Sequence, residues 1–91
     1  MTEKLFYANA YQKTFEATVT DCREGKKGYE VILDRSAFYP EGGGQPSDTG
    51  VLDDVKVTEV HEKDGELLHY TDQALEVGTQ VTGKIFEKTE I

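Results

Sequence analysis

Apolar and polar residues change places at nearly every step along this chain, and a period of two demands extended strands rather than helices. Phe15, Ala17 and Val19 alternate with Glu16, Thr18 and Thr20. After a polar turn over 24–28, Tyr29, Val31 and Leu33 resume the alternation, with Ile32 apolar on the other face. Val51-Leu52 follows, then an acidic break at Asp53-Asp54, then Val55 to Val60, whose parity shifts between Val57 and Val60 and so calls for a bulge or a strand end. Asp64-Gly65, between two β-rich runs, predicts a hairpin leading into Glu66-Leu67-Leu68-His69-Tyr70. Val81, Gly83 and Ile85 alternate with Thr82, Lys84 and Phe86 in a last strand. Leu5-Phe6-Tyr7 reads as a short strand or a strap across the core, Ala8 to Tyr11 as an irregular link, and Gln73 to Glu76 as one helical turn. Six or so short strands without a convincing helix predict an all-β domain, sandwich or barrel.

Into this pattern intrudes one segment that is neither strand nor helix. Phe38 to Gly50 holds both prolines and four of the nine glycines. Gly42-Gly43-Gly44 has no Cβ, so its backbone is free to take positive φ and a ligand can lie directly on it. Pro40 and Pro46 restrict Tyr39 and Gln45, leaving a permissive stretch between two stiff points with one carboxamide beside it. Asp48-Thr49-Gly50 reads as a turn in which Asp bonds back to the backbone. On composition alone this is a Gly-rich connection between two strands. Neither a P-loop nor a dinucleotide fingerprint fits its spacing.

Asp34 to Gln45, continued by Asp48-Thr49-Gly50, resembles the glycine motif of alanyl-tRNA editing domains, found inside alanyl-tRNA synthetases and as free-standing AlaX proteins. The family pattern runs Asp-x-Thr-x-Phe-Tyr-Pro/Ala, two residues, Gly-Gly-Gln, two residues, Asp-x-Gly. Ser36 stands where the family usually has Thr, a conservative departure in a match spanning seventeen residues. The chain from about Lys4 onward also resembles the barrel that precedes the catalytic part of AlaX proteins. The resemblance implies a small closed or nearly closed Greek-key β-barrel of about six strands, like the second domains of translation factors. It further implies hydrolysis of mischarged tRNA(Ala), chiefly seryl-tRNA(Ala) and in some members glycyl-tRNA(Ala). The barrel would line the pocket for the aminoacylated 3′ end with Ser36, Tyr39, Gly42, Gly43, Gly44, Gln45 and Asp48.

Zinc and the catalytic groups belong, in that family, to a C-terminal part with a His-x-x-x-His and a later Cys-x-x-x-His. Neither pattern occurs here, so catalytic residues, metal ligands and cofactor are all expected to be missing from this chain, with zinc in the complete protein. His61 and His69, the two histidines, lack a third ligand of any zinc pattern and read as surface strand residues. Ser36 and Ser47 have no base that spacing assigns to them. Acid pairs such as Asp53-Asp54 read as solubilising.

Ninety-one residues make one domain, 1–91, burying roughly 60–65% of its unfolded surface. There is no apolar run near the ~20 residues of a membrane helix, and Met1 to Lys4 followed by three apolar residues reads as too short for a signal peptide. With a lone Cys22, this points to a cytoplasmic place and no membrane partner. Eighteen acidic against ten basic side chains, a net charge of −8, argue against a strong nucleic-acid binder acting alone. They leave open a barrel that touches the end of a tRNA held elsewhere, beside its own C-terminal catalytic part. A barrel that opens at Met1 suits a free-standing editor or a piece of a longer protein. Two other classes remain: a non-catalytic acidic module that recognises a protein partner, and a self-contained hydrolase.

Overall fold

The computed structural model describes residues 2–9 and 11–87, so Ala10 of the expected link lies outside the described residues. Eight strands account for the regular structure: β1 Glu3–Lys4, β2 Thr14–Gly25, β3 Gly28–Leu33, β4 Arg35–Ser36, β5 Thr49–Leu52, β6 Val55–Lys63, β7 Glu66–Thr71 and β8 Gln80–Glu87. Six of them close a barrel in the order β2-β3-β7-β6-β5-β8, with every neighbouring pair antiparallel. β5, β6 and β7 are successive hairpin partners, and β8 returns to lie beside β5. That spatial order is a Greek key. Among the described residues no α-helix occurs, and no helix is long and apolar enough to cross a membrane.

The alternation in the sequence becomes the two faces of the barrel wall. Phe15, Ala17 and Val19 point inward from β2, Val31 and Leu33 from β3, Val57 and Val60 from β6, and Val81 and Ile85 from β8. The parity shift in β6 is a bulge between Val57 and Glu59, which keeps both valines in the core. Two-residue turns close the hairpins. Asp64 and Gly65 take φ of 53° and 82°, a left-handed pair whose twist matches the flanking strands. At the β5–β6 turn Asp53 takes φ of 54°; its N–H donates to Thr82 O at 2.8 Å and its Oδ1 accepts from Thr82 N at 2.9 Å. Asp53 therefore docks the turn on β8 rather than serving solubility alone.

Two short elements differ from the sequence reading. Leu5–Tyr7 is a single 3-10 turn following the parallel β1–β4 pair, and it drives Phe6 into the core as a strap would. Gln73–Glu76 makes no helical turn. The Thr71 hydroxyl donates to Gln73 O at 2.8 Å, and Leu75 turns inward while its N–H donates to Cys22 Sγ at 3.5 Å. A segment this short gains more from one half-buried leucine packed on the core than from one unanchored turn, whose nucleation is unfavourable.

Candidate functional site

β4, paired with β1 apart from the barrel wall, hands the chain to the glycine segment. Ser36, Ala37 and Phe38 are completely buried, and Pro40 is buried after them. Phe38 stands edge-on to Phe15 at 5.8 Å and to His69 at 5.4 Å, so it plugs the core. Tyr39 is half-buried and meets the Phe6 ring edge-on at 4.8 Å.

From Glu41 the chain leaves the wall and makes a miniature hairpin. Gly42 and Gln45 exchange both backbone hydrogen bonds, N–H to O at 3.2 and 2.9 Å. Gly43 and Gly44 between them have φ of 57° and 83°. Positive φ at both turn positions is what glycine supplies without steric cost. A Cβ placed on any of the three glycines would meet nothing within 4 Å, and Gln45 is exposed beside them. The tip therefore touches no other part of the described chain through these positions.

The base of the hairpin is fixed where its tip is not. β5 pairs with β6 only over Val55–Val57, which leaves the next residues of that edge without a strand beside them. The hairpin covers this edge. Glu41 N–H donates to Val60 O at 2.8 Å, and Val60 N–H donates to Ser47 Oγ at 3.0 Å. Asp48 is completely buried; its Oδ2 accepts from Tyr39 N–H at 2.8 Å, and its own N–H donates to Tyr39 O at 3.0 Å. The expected turn at Asp48-Thr49-Gly50 is thus corrected. Asp48 bonds back across nine residues to clamp the loop, and Thr49-Gly50 already belongs to β5.

Beside that base lies an open groove of about 430 Å³ lined by Lys27, Glu41, Pro46, Ser47, Thr49, Thr58, Glu59 and His61. His61 bridges hairpin and wall, with Nδ1 3.2 Å from Glu41 Oε1 and Nε2 2.9 Å from Glu59 Oε2. Both ring nitrogens donate only in the imidazolium form. The hydrogen bond from His61 holds the Glu59 carboxyl below the usual range, and Lys27 at 3.5 Å adds to it. Tyr70 packs on the His61 ring at 4.8 Å, and its hydroxyl is pushed up by burial and by Glu30 and Glu59.

The second histidine was expected on the surface and lies wholly inside. Pairing of Val60 with His69 puts the His69 ring on the inner face, one row from His61 on the outer. The two therefore do not converge. His69 Nδ1 lies 2.9 Å from Val31 O, and Nε2 lies 2.7 Å from Ser36 Oγ. Desolvation holds this imidazole down to about 4. Ser36, which spacing left without a partner, thus has one. A serine bonded to an oriented histidine is the arrangement of an activated nucleophile, but both residues are completely buried. The signal was readable: with Asp64-Gly65 as a two-residue turn, counting back from Lys63 opposite Glu66 sets His69 against the core residue Val60. Among the described residues no group of three or more His, Cys, Asp or Glu side chains is arranged to hold a metal ion.

Comparison with known proteins adds a lineage to this geometry. A family profile describing class II (A) tRNA synthetases matches residues 2–89. An alanine–tRNA ligase of Halobacterium salinarum is 50% identical over 93 residues, covering 92% of this chain and 10% of the relative. The alanyl-tRNA editing protein AlaX-L of Pyrococcus horikoshii is 42% identical over 73 residues, covering 76% of the chain and 18% of that protein. AlaX-M of Methanosarcina mazei, also an alanyl-tRNA editing protein, is 54% identical over 65 residues, covering 71% and 22%. The chain spans between about a tenth and a fifth of the length of these relatives.

Proposed function

The chain belongs to the family of class II (A) tRNA synthetases, and from that premise we propose that it is the barrel part of an alanyl-tRNA editing hydrolase. The complete protein would cleave the ester between a wrong amino acid, serine above all and glycine in some members, and the 3′ end of tRNA(Ala). Likeness to two proteins named for alanyl-tRNA editing supports the reading. The observation that carries it is the Gly42–Gln45 hairpin, clamped at its base by Val60 and Asp48 and bare at its tip. A loop built that way presents backbone and one carboxamide without a side chain in front of them, which suits close approach of a ligand.

In this reading Tyr39, Gly42, Gly43, Gly44 and Gln45 form one wall of the pocket. Ser36 and Asp48 serve it from beneath, since both are buried. Zinc and the groups that activate water belong to a C-terminal catalytic part, and the 91-residue chain by itself does not deacylate tRNA. The acidic balance of −8 agrees with a barrel that meets only the end of a tRNA whose body is held elsewhere, in the cytoplasm where aminoacylated tRNA is used.

The test uses the protein joined to its catalytic part. Replacing Gly42-Gly43-Gly44-Gln45 by Ser-Asp-Gly-Ser keeps a turn of the same type while covering the backbone at 42 and 43 and removing the Gln45 carboxamide. Deacylation of seryl-tRNA(Ala) is expected to fall by about 10²-fold or more, with unchanged melting temperature. Wild-type deacylation by this variant would overturn the assignment.

A further inference from the structure

The geometry points to His69 as a positioning residue for the glycine hairpin, acting through the Ser36 hydroxyl. Val31 O can only accept, so the His69 Nδ1 at 2.9 Å carries the proton. In a neutral ring Nε2 is then an acceptor, and Ser36 Oγ–H, 2.7 Å away, must donate to it. The same oxygen accepts from Phe38 N–H at 3.1 Å. A one-directional chain results: Phe38 N–H to Ser36 Oγ, Ser36 O–H to His69 Nε2, His69 Nδ1–H to Val31 O.

This chain joins β7 and β3 to the point where the backbone turns out of β4. One residue after Phe38, the Tyr39 N–H is taken by Asp48, and two further on the Glu41 N–H is taken by Val60. The imidazole thus fixes the rotamer of Ser36 and the direction of the Phe38 N–H, the first of three bonds that aim the hairpin. Phe38 leans edge-on against the same ring at 5.4 Å, which holds the ring in its plane. Among the described residues no buried side-chain nitrogen or oxygen lacks a hydrogen-bond partner, and loss of the Ser36 hydroxyl takes a partner from both His69 Nε2 and Phe38 N–H. A threonine at position 36 keeps the hydroxyl, whereas an alanine does not.

The inference holds whether or not the editing assignment does, because its test reads the chain rather than its activity. Long-range proton–nitrogen NMR of the 91-residue chain at neutral pH is expected to show His69 protonated at Nδ1 and bare at Nε2. A proton on Nε2 would overturn the arrangement, and this measurement needs no variant. In Ser36→Ala, amide hydrogen exchange at Phe38, Tyr39, Glu41 and Asp48 is expected to rise about tenfold relative to the β6–β7 hairpin amides. In Ser36→Thr those amides should return to wild-type exchange. Uniform acceleration over the whole barrel, no acceleration, or failure of threonine to restore protection would each reduce the pair to ordinary core filling.

Discussion

The foot and the tip of the glycine segment lie a few residues apart and are built on opposite terms. At the foot, Ser36, Ala37, Phe38 and Asp48 are completely buried, and Gly50 is pressed so closely on β8 that a Cβ there would collide with the Lys84 carbonyl. At the tip, a Cβ on Gly42, Gly43 or Gly44 would enter open space. Glycine therefore answers two different needs within one motif: close approach of two backbones at Gly50, and left-handed φ at Gly43 and Gly44. The difference separates what folds the domain from what the domain presents.

The strongest way to break this comparison is Gly50→Ala. The obstructing atoms are backbone of the paired strand, which cannot swing aside, so the β5–β8 seam must part. A loss of about 3 kcal/mol in unfolding free energy is expected, the upper end for overpacked sites, read from urea denaturation. A loss below about 1 kcal/mol would show that the seam yields and that foot and tip are alike.

Acid should act on the foot next. His69 is held down to about 4 in the fold, against about 6.5 in an unfolded chain. Between those values the unfolded chain binds the extra proton, so stability rises with pH. It is fully present above about 6.5 and is lost as pH falls towards 4, by about 3 kcal/mol at most. His69→Phe should remove that slope. Glu59, whose folded value is lowered, adds a loss only at more acid pH, as its carboxylate is protonated. Equal slopes in wild type and His69→Phe would mean that the ring is charged inside the barrel.

Much of the foot was legible because it obeys a period of two. Val57 and Val60 announce their bulge by parity, and Asp64-Gly65 fixes a register that carries His69 to the core. Taking the residue for a surface histidine followed from judging it by type rather than by that register. The clamp from Asp48 to Tyr39 and the Asp53 dock on Thr82 were illegible for another reason. The first joins the two ends of the glycine hairpin and depends on which turn the hairpin makes, and the second joins the β5–β6 turn to β8, which only barrel closure brings together. The tip was legible as permissive, since three glycines between prolines allow little else, but not as a hairpin. Which of several turns a glycine triplet takes depends on where its ends are anchored, here on Val60.

Gly44→Ala tests the tip alone. Its φ of 83° is unfavourable for a side chain, yet there is nothing for the methyl to strike. About 1 kcal/mol is expected from the left-handed backbone, with melting otherwise cooperative and the β-sheet circular dichroism unchanged. A loss matching that of Gly50→Ala would mean that the tip packs on something after all.

The smallest expected change in stability belongs to Gln45→Ala. Gln45 is exposed, its backbone is already set by the paired bonds with Gly42, and Pro46 follows it. A substitution on such a surface should shift unfolding free energy by no more than about 0.5 kcal/mol. If the complete protein is the proposed editing hydrolase, the effect on its activity should be out of proportion to that. Loss of one positioned polar contact at a reacting centre costs about 10²–10³ in rate, and seryl-tRNA(Ala) deacylation is where it would be seen. The two measurements must be made on the same variant, because only their ratio separates presenting from folding. A wild-type rate would show that the carboxamide faces nothing, and a fall in melting temperature large enough to account for a slow rate would return Gln45 to the foot.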